Sequence, residues 1–265
     1  MPLPDLVDQV RSGVVHIEYS VGGNRVASGS GFLARGYLVT NHHVFVGPNN
    51  AAVTLGWQLD AAPQRQEVQL QYNAFAGRLV TGSPENGFDF AVLDIPQLRA
   101  NGLFDFQLQA PAGKRIGDPI CFLGFPLEHR NLTCHQGIIS SFFRSGTANI
   151  IQLDASVNQG NSGGPLLDPD TGNVIGLVTR KGTGLSRLFD QLLAVFDQNI
   201  QALEQARGII GIGPIDPVAA MVAGQHQMRA LANEILRSAN VGVGYAFSSE
   251  HVLAENVFQP GAPAP

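Results

Sequence analysis

The chain has 265 residues, 44% of them hydrophobic and only 14% charged, enough apolar surface for one large domain or two small ones, which excludes a disordered chain. Sixteen Lys and Arg against twenty-one Asp and Glu leave a formal net charge of −5. That balance lacks the basic footprint that phosphate backbones require, so nucleic acid is not an expected partner.

In chain order, Met1-Pro2-Leu3-Pro4-Asp5 has neither the basic start nor the continuous apolar stretch of a signal peptide. No apolar run reaches the ~20 residues needed to span a bilayer. The expectation is a cytoplasmic protein with no membrane partner. Asp5 to Ser12 spaces Leu6, Val7 and Val10 as a short amphipathic helix would. Nine segments then read as strands: Val14–Ser20, Gly31–Val39, Ala51–Leu59, Gln66–Tyr72, Phe88–Ile95, Pro119–Leu123, Gly137–Phe143, Ile150–Ala155 and Val174–Thr179. They are rich in Val, Ile, Phe and Leu and bounded by Gly, Pro, Asn or Asp, the pattern of an all-β sandwich or barrel.

The two cysteines, Cys121 and Cys134, fall inside strand-like segments. If Phe125 to Asn131 turns a hairpin, Cys121 lies opposite a residue near Gln136, and Cys134 opposite one near Leu123. The thiols then do not face each other, and free buried cysteines are expected. From Ser186 to Ala206, apolar residues recur at helical spacing, among them Leu188, Leu192, Phe196, Ile200 and Leu203. Asp216-Pro217 has the form of an N-cap followed by proline at the first helical position. It opens a second helix, so Ser186 to Asn240 reads as a helical hairpin. Val241 to Phe247 is strand-like again, Ser249 can cap a short last helix to about Phe258, and 259–265 is too rich in Pro, Gly and Ala to be ordered by itself.

The most specific chemical signal is Gly160-Asn161-Ser162-Gly163-Gly164-Pro165. A serine hydroxyl is a poor nucleophile until a base takes its proton and backbone N–H groups receive the developing oxyanion. Glycines around it permit a tight turn that aims the amides of Gly160 and Ser162 at one spot; the bland alternative is a glycine-rich turn with an incidental serine. Thr40-Asn41-His42-His43-Val44 follows a strand and supplies an imidazole able to shuttle that proton. Phe88-Asp89-Phe90-Ala91-Val92-Leu93 opens an apolar strand with a carboxylate, which is costly to bury unless something satisfies it. Orienting an imidazole is one such role, and capping a turn is another.

The order His, Asp, Ser in a β-rich chain resembles the trypsin-like serine proteases, in particular the HtrA (high-temperature-requirement) branch. The likeness runs through Gly29-Ser30-Gly31-Phe32, Gly36-Tyr37-Leu38-Val39-Thr40-Asn41 and Asp89-Phe90-Ala91-Val92-Leu93. It continues in Gly137-Ile138-Ile139-Ser140, Gln152-Leu153-Asp154-Ala155, the glycine-serine motif, Gly172-Asn173-Val174-Ile175-Gly176 and Val243-Gly244-Tyr245-Ala246-Phe247. The resemblance implies two six-stranded barrels built from 1–185 and 241–258, with 186–240 inserted and 259–265 as a disordered tail. It implies His43, rather than His42, as base, Asp89 as orienting acid and Ser162 as nucleophile. The amides of Gly160 and Ser162 become the oxyanion hole, and peptide hydrolysis proceeds through an acyl-enzyme with no metal or cofactor.

Departures from the family refine the expectation. Many relatives are exported and carry a peptide-binding PDZ module; the expectation for this chain is neither an export signal nor that module. The insertion replaces what is usually a short loop; it is either decoration or a lid or docking surface for a regulatory protein. Ser156, six residues before the nucleophile, offers no carboxylate at the base of the specificity pocket, so small or medium apolar side chains are expected there rather than Arg or Lys. The strand ending at Thr179 would pair with the substrate backbone. Arg180 and Lys181 beyond it would favour nearby acidic residues unless they are simply solvated. The motif also fits the G-x-S-x-G elbow of α/β-hydrolases, but Pro165-Leu166-Leu167-Asp168-Pro169 is a poor start for the helix that elbow needs. A protease-shaped binding module, inactive or active only after a partner binds, is the remaining alternative.

Overall fold

The computed structural model describes residues 1–59, 65–99, 101–126, 130–179, 185–208, 216–239, 242–262 and 265. It divides into two units, Met1–Arg180 with Gly242–Pro265, and Lys181–Val241.

In the first unit, α1 (Leu3–Val10) buries Leu6 and Val10, and a 3-10 turn at Arg11–Gly13 leads into the first lobe. That lobe comprises β1 (Val14–Val21), β2 (Asn24–Ala34), β3 (Tyr37–Thr40), β4 (Ala52–Gln58), β5 (Arg65–Gln71), β6 (Leu79–Ser83) and β7 (Phe90–Leu93). Three short helices lie between or after these strands: α2 (His42–Phe45), α3 (Tyr72–Ala76) and α4 (Pro96–Arg99). The strands pair antiparallel in the order β5-β4-β1-β2-β3-β7-β6.

The second lobe, with β8 (Pro119–Gly124), β9 (Thr133–Ser145), β10 (Ala148–Asp154), β11 (Pro165–Leu167), β12 (Val174–Thr179) and β13 (Val243–Ser248), closes as the barrel β10-β13-β12-β11-β8-β9. The fold is therefore mainly β, with one closed six-stranded barrel. The first lobe differs from the expected six-stranded barrel: among the described residues it is an open sheet of seven strands.

Part of that difference has a local cause. Gly31–Val39 is not one strand, because Arg35 (φ +54°) and Gly36 (φ +78°) make a two-residue turn and set Ala34 opposite Tyr37. Positive φ at both central residues gives the twist that suits a tight hairpin. The exposed edge strand β6 adds the seventh member. In the barrel, Cys121 lies opposite Gln136 and Leu123 opposite Cys134, and both thiols are free. Cys121 is buried, and that burial pushes its thiol up to about 12. Cys134, in contrast to expectation, is exposed, because alternate residues of β9 face outward.

Four apolar clusters hold the unit together, the smallest of them around Ala148, Ile150 and Phe247. Ile17, Leu38, Leu55, Phe75 and Leu93 fill the sheet; Phe122, Ile139, Leu153, Leu166 and Val178 fill the barrel. The fourth draws Phe32, Val39 and Phe90 from the sheet and Leu123, Phe125 and Leu177 from the barrel. Each fully buried Phe or Leu contributes roughly 1.5–3 kcal/mol of transfer free energy, so this seam fixes the two lobes against each other. The loops that carry the chemical motifs meet along it.

After β13, Ser249 already has helical φ and ψ (−61°, −16°), so it does not cap α7 (Glu250–Leu253) with its side chain as expected. Its hydroxyl bonds the Gln109 carbonyl instead. A 3-10 turn at Asn256–Phe258 follows, and Arg35 donates to the carbonyls of Gln259 (2.8 Å) and Ala262 (2.6 Å). The second unit holds α5 (Leu185–Ala206) and α6 (Pro217–Ala239). The Asp216 carboxylate accepts the Val218 and Ala219 amides at 2.9 and 3.2 Å, which caps α6 with proline at its first position. Among the described residues no helix is long and apolar enough to cross a membrane.

Candidate active site

The residues expected as base and acid come from the sheet. β3 ends at Thr40, and α2 begins two residues later, its Val44 and Phe45 amides closing on the Asn41 carbonyl. The Tyr19 hydroxyl lies 2.7 and 2.8 Å from the Val44 and Phe45 carbonyls and anchors the end of this single turn. Asp89, fully buried, accepts the His43 backbone N–H on Oδ1 (3.0 Å) and meets His43 Nδ1 with Oδ2 (2.7 Å). A carboxylate only accepts, so Nδ1 carries the ring proton and Nε2 presents its lone pair. His42 has no such partner among the described contacts; its ring lies against Phe45 at 5.9 Å.

Asp89 sits at φ +50°, in a region that costs most non-glycine residues ~1–3 kcal/mol but that aspartate tolerates better than most. Its own carbonyl accepts Asn41 Nδ2 at 2.9 Å, which ties it to the residue before α2.

Ser162, 6% exposed, lies on the loop between β10 and β11. Asn158 to Asn161 form a turn closed by Asn161 N–H to the Asn158 carbonyl (3.1 Å), with Gly160 third at φ +96°. A positive φ at that position is the demand of a type II turn and explains the glycine. Successive carbonyls are then occupied: Gly160 by the Ser30 hydroxyl (2.7 Å), Asn161 by Gly164 N–H (3.0 Å) and Ser162 by Ser30 N–H (2.8 Å). The Asn161 and Gly163 amides are spent on Asn158 and Val178. Gly163, at φ +86°, packs so closely that a Cβ there would come 2.1 Å from the Ser30 carbonyl, 2.3 Å from Thr40 Oγ1 and 3.1 Å from Asn41 N. The serine turn therefore rests directly on the segment that leads into His43.

No helix follows the serine; Pro165–Leu167 is strand β11, which removes the context an α/β-hydrolase elbow requires. The Ser156 hydroxyl accepts Gly242 N–H at 3.1 Å, beside β13. Thr179 is buried at the end of β12, opposite Tyr245. Arg180 and Lys181 lie outside the described residues. Sequence reasoning assigned no role to Ser30, Thr40 or Asn41, although all three stand in the quoted motifs. Their work is done through bonds to residues up to 130 positions away, and spacing along the chain carries no trace of it.

Residues 29–177 match the trypsin-like peptidase domain, and the chain belongs to that family. Within it, the chain is HtrA-like. Serine protease HTRA1A of Danio rerio is 32% identical over 227 residues, 78% of this chain and 43% of that protein. Serine endoprotease DegS of Escherichia coli K12 is 31% identical over 239 residues, 81% of this chain and 62% of that one. The crystal structure of Deg5 superposes with a TM-score of 0.54 at 28% identity, covering 67% of this chain and 84% of that chain. An HtrA-type protease AlgW, at 22% identity, shares the fold over 99% of this chain and 65% of its own, TM-score 0.59. The chain thus spans about two fifths to three fifths of the length of these curated relatives.

Proposed function

We propose that this chain is a serine endopeptidase acting through His43, Asp89 and Ser162. The observation that carries the reading is the Asp89–His43 pair, which sets the imidazole tautomer, together with a serine turn whose Gly160, Asn161 and Ser162 carbonyls are each taken up by bonds within the protein. Ser162 Oγ attacks the scissile carbonyl carbon while His43 Nε2 takes its proton, and the oxyanion is received by the Gly160 and Ser162 amides. The tetrahedral intermediate collapses and breaks the C–N bond. The amine leaves with the proton from His43, and an acyl-enzyme remains. Water, deprotonated by His43, repeats the sequence, releases the acid and returns the hydrogen to Ser162.

The substrate is a protein or peptide. Ser156 supports small or medium apolar side chains in the primary pocket, with β12 up to Thr179 as the backbone-pairing strand. Limited proteolysis of a protein partner, restrained by a regulator at 186–240, completes the reading.

A fluorophosphonate probe tests it whatever the natural substrate, because the probe reacts with any activated serine. Labelling should vanish in Ser162→Ala and fall by several orders of magnitude in His43→Ala, while His42→Ala stays near wild type. Equal losses at the two histidines contradict the assignment of the base. No labelling of wild type under any condition favours the binding-module reading.

A further inference from the structure

We infer that Ser30 is a positioning residue, holding from the sheet the turn that receives the oxyanion; this rests on the reading of Ser162 as nucleophile. Ser30 is fully buried on β2, opposite His16 of β1. It makes four bonds. Its N–H donates to the Ser162 carbonyl (2.8 Å), and its carbonyl accepts the Thr40 hydroxyl (2.6 Å). Its Oγ lies 2.7 Å from the Gly160 carbonyl and 3.0 Å from Phe125 N. An amide can only donate and a carbonyl only accept, so the single hydroxyl hydrogen belongs to the Gly160 bond, and the oxygen lone pair receives Phe125.

The consequence lies in the peptide planes. The Gly160–Asn161 plane is held at its oxygen by Ser30 Oγ and at its nitrogen by Asn158; the Ser162–Gly163 plane is held by Ser30 N and Val178. Gly160 has no side chain to restrict its rotation, so the hydroxyl is the restraint from the sheet on where that glycine's carbonyl points. The Gly160 and Ser162 amides belong to the planes that precede these two. With both carbonyls drawn toward β2 the same α-carbons are anchored, and each oxyanion amide is left less room to turn away from the reacting carbonyl. Water cannot take over the task at a site with no exposure.

Ser30→Ala removes the Oγ arm, which also leaves the Phe125 amide unpaired, and keeps the bond from Ser30 N, so the rate per folded molecule and the stability are read separately. The readout is the kinetics of labelling by an alkyl fluorophosphonate, whose adduct oxygen occupies the oxyanion position. Loss of one oxyanion donor costs ~10²–10³ in rate; loosening one should lower kinact by at least about tenfold, with KI within about threefold, in protein still folded at the assay temperature. A purely structural role would lower the thermal midpoint and the active fraction but leave kinact per folded molecule unchanged, and that result overturns the inference. If the alanine variant does not fold, Ser30→Cys keeps the size with a weaker donor and should label at an intermediate rate; a wild-type kinact in that variant likewise overturns it. Should Ser162→Ala still label, the nucleophile assignment fails instead.

Discussion

His16 shows how much a single side chain can be asked to tolerate beside the candidate site, across from Ser30. It is fully buried, its Nδ1 accepts Arg65 Nη1 at 2.9 Å, its Nε2 has no hydrogen-bond partner among the described residues, and its ring lies 4.9 Å from Phe125. Burial first, and then Arg65, Arg25 and Arg130, lower its pKa to about 3. The sign of the consequence is definite. Between about pH 6.5 and 3 the unfolded chain binds a proton at this position and the folded chain does not, so stability is full above pH 6.5 and declines as pH falls through that window. The slope from this group alone is at most ~1.4 kcal/mol per pH unit. His16→Phe keeps the ring volume and removes the titration. Its urea midpoint should change less than that of wild type between about pH 7 and pH 4.5; equal changes would remove His16 as the source. At this scale the chemistry was legible only in part. The histidine, aspartate and serine announce themselves by residue type and order, whereas His16 and Ser30 matter through cross-strand partners that composition does not encode.

At the scale of elements, the serine turn is tightly constrained. Gly163 combines a left-handed φ of +86° with contacts that a Cβ would violate at 2.1 Å against a backbone carbonyl and 2.3 Å against Thr40 Oγ1. Gly163→Ala must therefore pull the turn away from β2 or strain both. We expect a loss of more than ~2 kcal/mol of stability together with loss of fluorophosphonate labelling, read by melting and by gel. A variant that labels and melts like wild type would show that the turn can retreat without consequence. Elements with strong patterns were legible: β12 has the expected bounds, and the β8–β9 register follows from the length of its turn. The failures are equally physical. β6 is an exposed edge strand containing Thr, Gly and Ser, β11 has only three residues, and the β2–β3 turn puts an arginine at positive φ where sequence offers no warning.

Taken whole, the molecule interrupts a β-hairpin with a helical unit. β12 and β13 are antiparallel neighbours in the barrel, with Thr179 opposite Tyr245 and Gly176 opposite Ser248. The chain leaves after Thr179 and rejoins at Gly242, whose N–H is held by Ser156. Two strands paired in this way need only a short turn to join them. Among the described residues, the four core clusters are each built from the first unit's own side chains. Replacing Lys181–Val241 with a short Gly-Asn-rich turn should therefore leave a chain that unfolds cooperatively and still labels at Ser162. If labelling persists while turnover of a protein substrate or capture of a partner changes, the helices act as a gate or docking surface; unchanged turnover and binding would make them decoration. Loss of cooperative unfolding would sink the premise itself, since the β-lobes would then depend on the helices for their stability.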